Sequence, residues 1–105
     1  MTAKTRKQQL EEMLADSPDD PFLHYCLAME CVSAKDDDSA TKTFARVLEL
    51  DRDYVAAYMQ AGQALARRGK SDEARAIFQQ GIEAARRTGN EHALGEMQGF
   101  LDGLD

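Results

Sequence analysis

Along this 105-residue chain apolar side chains recur at intervals of three and four, and no stretch alternates in the two-residue rhythm of a strand. Short polar breaks punctuate the pattern. They are Pro18 to Pro21 around Asp19 and Asp20, Asp36 to Asp38, Asp51 to Asp53, Gly69 to Ser71, and Thr88 to Asn90. The spacing predicts six helices and an all-α fold. Helix one is expected over Ala3 to Ala15, with Leu10, Met13 and Leu14 on one face. Helix two should run from Pro21 to Ala34, capped by Asp20 and opened by Pro21, whose missing N–H costs nothing in a first turn. The third is expected over Asp38 to Leu50, with Ala40, Phe44, Val47 and Leu48 facing inward. The fourth runs from Tyr54 to Arg68 and stops at Gly69. Helix five is expected to begin behind Ser71 as N-cap and to bury Ala74, Ile77, Phe78 and Ile82. Helix six covers Asn90 to Leu104, with Leu94, Met97, Leu101 and Leu104 in one stripe and Ala93 and Phe100 beside it.

Shifting the chain by 34 residues lays 21–54 over 55–88. Asp38 then falls on Asp72, Ala40 on Ala74, Phe44 on Phe78, Glu49 on Glu83 and Arg52 on Arg86. The identities sit at helix starts and at the small and aromatic positions of each second helix. In the tetratricopeptide repeat, the first helix carries a large aromatic, a Leu–Gly pair and a second aromatic. Its second helix carries Ala, three residues, Phe, and a closing Pro. The chain resembles that pattern. Tyr58, Ala61–Gly62, Leu65, Ala74 and Phe78 take those places in one unit, and His24, Leu27–Ala28, Cys31, Ala40 and Phe44 in the other. Arg52 and Arg86 replace the closing proline. One step further back, Leu10 takes the aromatic place and Pro18 the proline place. The resemblance implies a single domain over 1–105, a superhelical stack of helix pairs. Its parts are a half-repeat helix (1–20), repeats at 21–54 and 55–88, and a capping helix (89–105). Helix six leaves the register by two residues, which predicts a turn about two residues longer around Thr88–Asn90.

The family further implies a concave groove lined by first helices, and a role in binding a peptide or helix of another protein. The corresponding positions are Phe22, Tyr25, Met29, Val32 and Ser33, then Ala56, Met59, Gln63, Ala66 and Arg67. From Pro21 to Val32 only His24 and Glu30 are plainly polar, so helix two must be covered on more than one side. Two readings stay open: neighbouring helices supply that cover, or a partner does. Members that clamp a chaperone's C-terminal carboxylate use Lys, Asn and Arg in the groove. Tyr25, Met29 and Gln60 stand there instead, with Arg67 the one nearby cation, so this clamp is not expected. Phe100 and Leu104 near the tip of helix six leave a homodimer as the alternative.

Composition narrows the field. The net charge is −6, of which residues 1–53 supply −5 (7 basic and 12 acidic side chains) and residues 54–105 supply −1 (6 and 7). Such a chain lacks the basic surface that phosphate neutralisation needs, so no nucleic-acid partner is expected. No apolar run approaches the roughly 18–20 residues of a membrane span, and the polar N-terminus is unlike a signal or transit peptide, which points to the cytoplasm and away from membranes. Cys26 and Cys31, five apart on a helix, point about 140° away from each other and are expected as reduced, buried thiols. His24 beside Cys26 lacks the further ligands a metal requires. No nucleophile motif, phosphate-cradling loop or HExxH occurs, so neither enzymatic activity nor a cofactor is expected. Arg67, Arg68 and Lys70, and separately Arg86–Arg87, suit helix C-termini or an acidic partner.

Overall fold

Six helices joined by loops of two to four residues make up the computed structural model, which describes residues 3–104; among these no strand occurs. Met1, Thr2 and Asp105, inside the expected domain span, lie outside the described residues. The helices are α1 (Arg6–Asp16), α2 (Pro21–Ser33), α3 (Asp37–Leu50), α4 (Val55–Arg67), α5 (Ser71–Thr88) and α6 (Glu91–Asp102). Each packs on its sequence neighbours, and α4 also touches α6. The result is elongated, 49 × 28 × 20 Å.

Local chemistry explains the helix ends. Thr5 and Gln8 form a reciprocal capping box at α1, so the helix begins three residues later than the apolar spacing suggests. Asp20 accepts from Phe22 N at 2.9 Å, Asp36 from Ser39 N at 3.1 Å and Asn90 from Ala93 N at 3.1 Å. Ser71 is not the cap of α5. It is the first helical residue, and Lys70 occupies the cap position without a side-chain bond. Three helices end alike: the amides of Asp36, Lys70 and Asn90 each reach back five residues, to Cys31, Leu65 and Ala85 carbonyls, all at 2.9 Å. The residue before each has positive φ: Gly69 (76°), Gly89 (71°) and, without a glycine, Lys35 (60°).

The turn before α6 is shorter than expected, not longer. Helix α3 spans 14 residues and α5 spans 18, while the following loop shrinks from 51–54 to 89–90. One added helical turn minus two loop residues yields the register shift of two.

The core comprises two clusters. Ala28, Cys31, Ala40, Phe44, Val47, Ala57 and Ala61 join α2, α3 and α4. Val55, Tyr58, Leu65, Phe78, Ile82, Met97 and their alanine neighbours join α4, α5 and α6. Leu48 and Ile77 lie against both. Small residues permit the close approach. A β-carbon on Gly62 would collide with the Phe78 ring, and one on Gly81 would lie 2.6 Å from Tyr58 Cβ. Several apolar expectations fail, Leu48 and Ile77 among them, which are half-buried. Met13 is 51% exposed, because α1 has α2 as its only substantial neighbour. Cys26 is half-buried, since it faces the side of α2 away from Cys31. Leu94, Leu101 and Leu104 are half-buried, because among the described residues no helix packs on the outer side of α6.

Candidate functional site

The side chains singled out on α2 and α4 divide into three sets. Phe22, Tyr25 and Met29 line a hollow of about 220 Å³, shared with Cys26, Glu30 and Ser33 of the same helix and Arg6 of α1. Gln63, Ala66 and Arg67 line another of about 380 Å³, closed by Phe78, Phe100, Leu104 and the bare backbone of Gly99 and Gly103. Val32 and Met59 enter neither and pack against the two core clusters.

Alternation along α2 produces the first hollow. Leu23, Ala28 and Cys31 turn inward and are buried. Tyr25 and Met29 lie between core and surface, and Phe22 is 58% exposed. Tyr25 is held in place by its neighbours: its ring stacks on Tyr54 at 5.1 Å and tilts against Phe44 at 5.8 Å. Burial, with a smaller contribution from Cys26, pushes the Tyr25 hydroxyl above its ordinary value. Burial likewise raises the Cys31 thiol, which therefore stays protonated and packs as a small apolar group.

Arg67 does not offer the free groove cation that its position suggests. Its Nε and Nη2 donate to both oxygens of Asp37, at 3.0 and 2.9 Å. The hydrogen bond from Arg67 holds the Asp37 carboxyl below the usual carboxylate range. The other arginines of the two clusters are paired too: Arg68 to Asp38 at 2.9 Å, Arg87 to Asp53 at 2.9 Å, and Arg86 to Glu83 at 2.6 Å. The Arg68 and Arg87 pairs join helix ends to neighbouring turns, the Arg86 pair lies within α5, and together they neutralise the arginines of both clusters.

His24 has a structural task. Its Nε2–H donates to the Pro18 carbonyl at 2.7 Å, and the Tyr58 hydroxyl donates to the Arg52 carbonyl at the same distance. These pairs are 34 residues apart at both ends, so imidazole and phenol fasten equivalent turns.

Two features escaped the linear reading. The expected groove stopped at Arg67, yet the second hollow continues onto α6. Displacing positions 59, 63 and 67 by 36 residues lands on Gly95, Gly99 and Gly103, the signal that could have found it. A third hollow of about 440 Å³ opens on the side of α3 and α5, between Ala45 and Leu48 on one helix and Ala76 and Ile77 on the other, rimmed by Lys42, Arg68 and Glu73. Among the described residues no helix is long and apolar enough to cross a membrane.

Comparison with known proteins agrees with the helical-repeat fold. A tetratricopeptide repeat family model matches residues 32–94. A TPR repeat-containing protein of Pseudomonas aeruginosa is 33% identical over 96 residues, covering 91% of either chain. The solution structure of a tetratricopeptide repeat domain protein from Salinibacter ruber is 36% identical, covers 80% of this chain and 85% of its own, and superposes with a TM-score of 0.74. A Bordetella parapertussis protein solved in solution is 27% identical, with 95% of this chain and 87% of that one covered and a TM-score of 0.83. Proteins with this fold are generally non-catalytic scaffolds that serve protein–protein interaction. The repeat period, the paired helices with their small-residue contacts and these likenesses agree: the chain belongs to the tetratricopeptide repeat family.

Proposed function

We propose that this protein is a cytoplasmic adaptor that binds a peptide or helix of another protein in an apolar concave groove. The groove side chains are Phe22, Tyr25, Met29 and Val32 of α2 and Met59, Gln63, Ala66 and Arg67 of α4. In this reading 21–54 and 55–88 are the full repeats, flanked by the half-repeat of 1–20 and the cap of 89–105. The observation that carries it is Phe22: a phenyl ring 58% exposed beside half-buried Tyr25 and Met29, at the rim of a hollow that no helix among the described residues fills. Methionine and tyrosine suit such a surface because one is flexible and the other rigid with a polar tip.

Affinity capture from native extract, comparing the wild-type chain with a Tyr25→Ala/Met29→Ala variant, tests the proposal. A partner lost by the variant while its thermal melt stays cooperative and close to wild type supports the groove. A melt that collapses, with no specific binding defect, assigns both side chains to the core. Self-association is the second reading, favoured by Phe100, which is 37% exposed at the mouth of the α6 hollow. Its ring also stacks on Phe78 at 5.6 Å, a contact within the chain that accounts for its position without a second copy. Light scattering across a range of concentrations separates the two; a constant monomer mass rejects the dimer.

A further inference from the structure

The α2 hollow adjoins a surface where aromatic rings and carboxylates meet. Arg46 Nη2 reaches Asp19 Oδ1 at 3.2 Å and so holds segment 16–20 against segment 46–53. Together these segments contain six carboxylates and two arginines, and Arg87 of α5 pairs with Asp53, so carboxylates still outnumber arginines six to three and the surface is negative. Arg46 is consumed by Asp19 and Glu49. Asp20 and Asp51 are not neutralised in that way. Each caps a backbone amide through Oδ1, at 2.9 Å to Phe22 N and 3.0 Å to Asp53 N, and neither forms an ion pair among the described residues. Asp51 and Tyr54 share one turn, the Tyr54 amide donating to the Asp51 carbonyl at 3.2 Å. Burial raises the Tyr54 hydroxyl most, and Tyr25, Cys26, Asp20 and Asp51 push the same way. Tyr54 in turn stacks on Tyr25, which lines the hollow with Phe22.

Building on the groove assigned above, we propose that its occupant is a basic segment of another protein. An apolar side chain would enter the Phe22–Tyr25–Met29 hollow, and a flanking lysine or arginine would lie over the Tyr25–Tyr54 pair toward Asp20 and Asp51. A cation over an aromatic face is favourable even at an exposed site, and the two free carboxylates add attraction at longer range. An acidic segment meets the opposite: repulsion from Asp20 and Asp51, while Arg6 at the hollow is paired with Glu30 at 3.3 Å and Arg67 is closed by Asp37. The sign of the preference is therefore reversed from that of a carboxylate clamp.

Panning a displayed library of random dodecapeptides against the intact protein tests this, with the Tyr25→Ala/Met29→Ala variant panned in parallel. The expected result is enrichment of peptides that pair Lys or Arg with a neighbouring bulky apolar residue, absent from the variant. Enrichment of neutral or acidic peptides that the variant loses overturns the basic preference and leaves the groove standing. No enrichment, or the same peptides on both proteins, overturns the groove and this inference with it. The best enriched peptide is then measured by fluorescence anisotropy against Asp20→Asn/Asp51→Asn. Asparagine caps as well as aspartate, so this variant sheds charge and keeps the fold. Binding should weaken about threefold to tenfold at low salt, as expected for two exposed charge contacts. The difference should vanish near 1 M salt, where the Debye length is about 3 Å. Equal affinity at low salt overturns the role given to the two carboxylates.

Discussion

Lys35 is a lysine where the chain wants a glycine. Its φ of 60° matches the 76° of Gly69, its equivalent 34 residues on, and both precede the same five-residue backbone bond. A β-carbon in the left-handed region costs about 1 kcal/mol. Lys35→Gly should therefore raise stability by about 0.5–1 kcal/mol in a denaturant melt, whereas Gly69→Ala should lower it. The aromatic positions carry more. Phe78 is fully buried, fills the space that Gly62 leaves and supports Phe100. Phe78→Ala should cost about 3–5 kcal/mol, and a thermal melt showing no loss would sink the packing described here. Acid acts on Asp37, whose carboxyl is depressed by Arg67. The contribution of a depressed carboxylate is complete above its unfolded value of about 3.9 and disappears as pH falls through the lower folded value. The stability gap between wild type and Asp37→Asn, up to about 1 kcal/mol for so exposed a pair, should be largest at neutral pH and close in acid. Residues whose role depends on bulk, such as Phe44, Phe78, Ala40 and Ala74, were legible in the sequence because the repeat marks them twice. Arg67 was not, since its partner Asp37 is 30 residues away and no periodicity announces an ion pair.

At the scale of the helix, existence and type followed from the apolar spacing, and the ends followed from caps. Where side chains compete for the cap, spacing misled by a few residues: Thr5 with Gln8 delays α1, and α5 starts without a side-chain cap at all. The register of α6 was legible as a displacement of two, but its cause was not. A longer helix and a shorter loop give the same displacement as a longer loop, and only the 18-residue length of α5 separates them. The α6 helix also holds glycines that the fold does not require. At Gly95 and Gly99 an added β-carbon meets nothing within 4 Å, in contrast to Gly62 and Gly81. Gly95→Ala and Gly99→Ala should each stabilise the chain by about 0.5–1 kcal/mol through helix propensity alone, seen as a rise in melting temperature. Gly62→Ala should destabilise. A loss of stability at Gly95 or Gly99 would show that this face is covered in the native protein.

Over the whole molecule, contacts run mainly between helices adjacent in sequence, with α4 against α6 in addition, and among the described residues the two core clusters share only Leu48 and Ile77 at their border. A stack of this kind exposes long faces and two ends, and its stability is built from each unit and its adjoining interface. That architecture was legible from the 34-residue period, because helix-turn-helix units at that spacing cannot bury their apolar faces alone. Which long face is used was less legible. The side of α2 and α4 carries exposed Phe22 and the half-buried Tyr25 and Met29, while the side of α3 and α5 carries an apolar hollow of its own. The most direct test is an amide chemical-shift titration of the labelled protein with a bound peptide. The largest perturbations should fall between Phe22 and Ser33 of α2 and between Met59 and Arg67 of α4. Perturbations concentrated instead at Thr41–Leu48 of α3 and Glu73–Ile77 of α5 would contradict it.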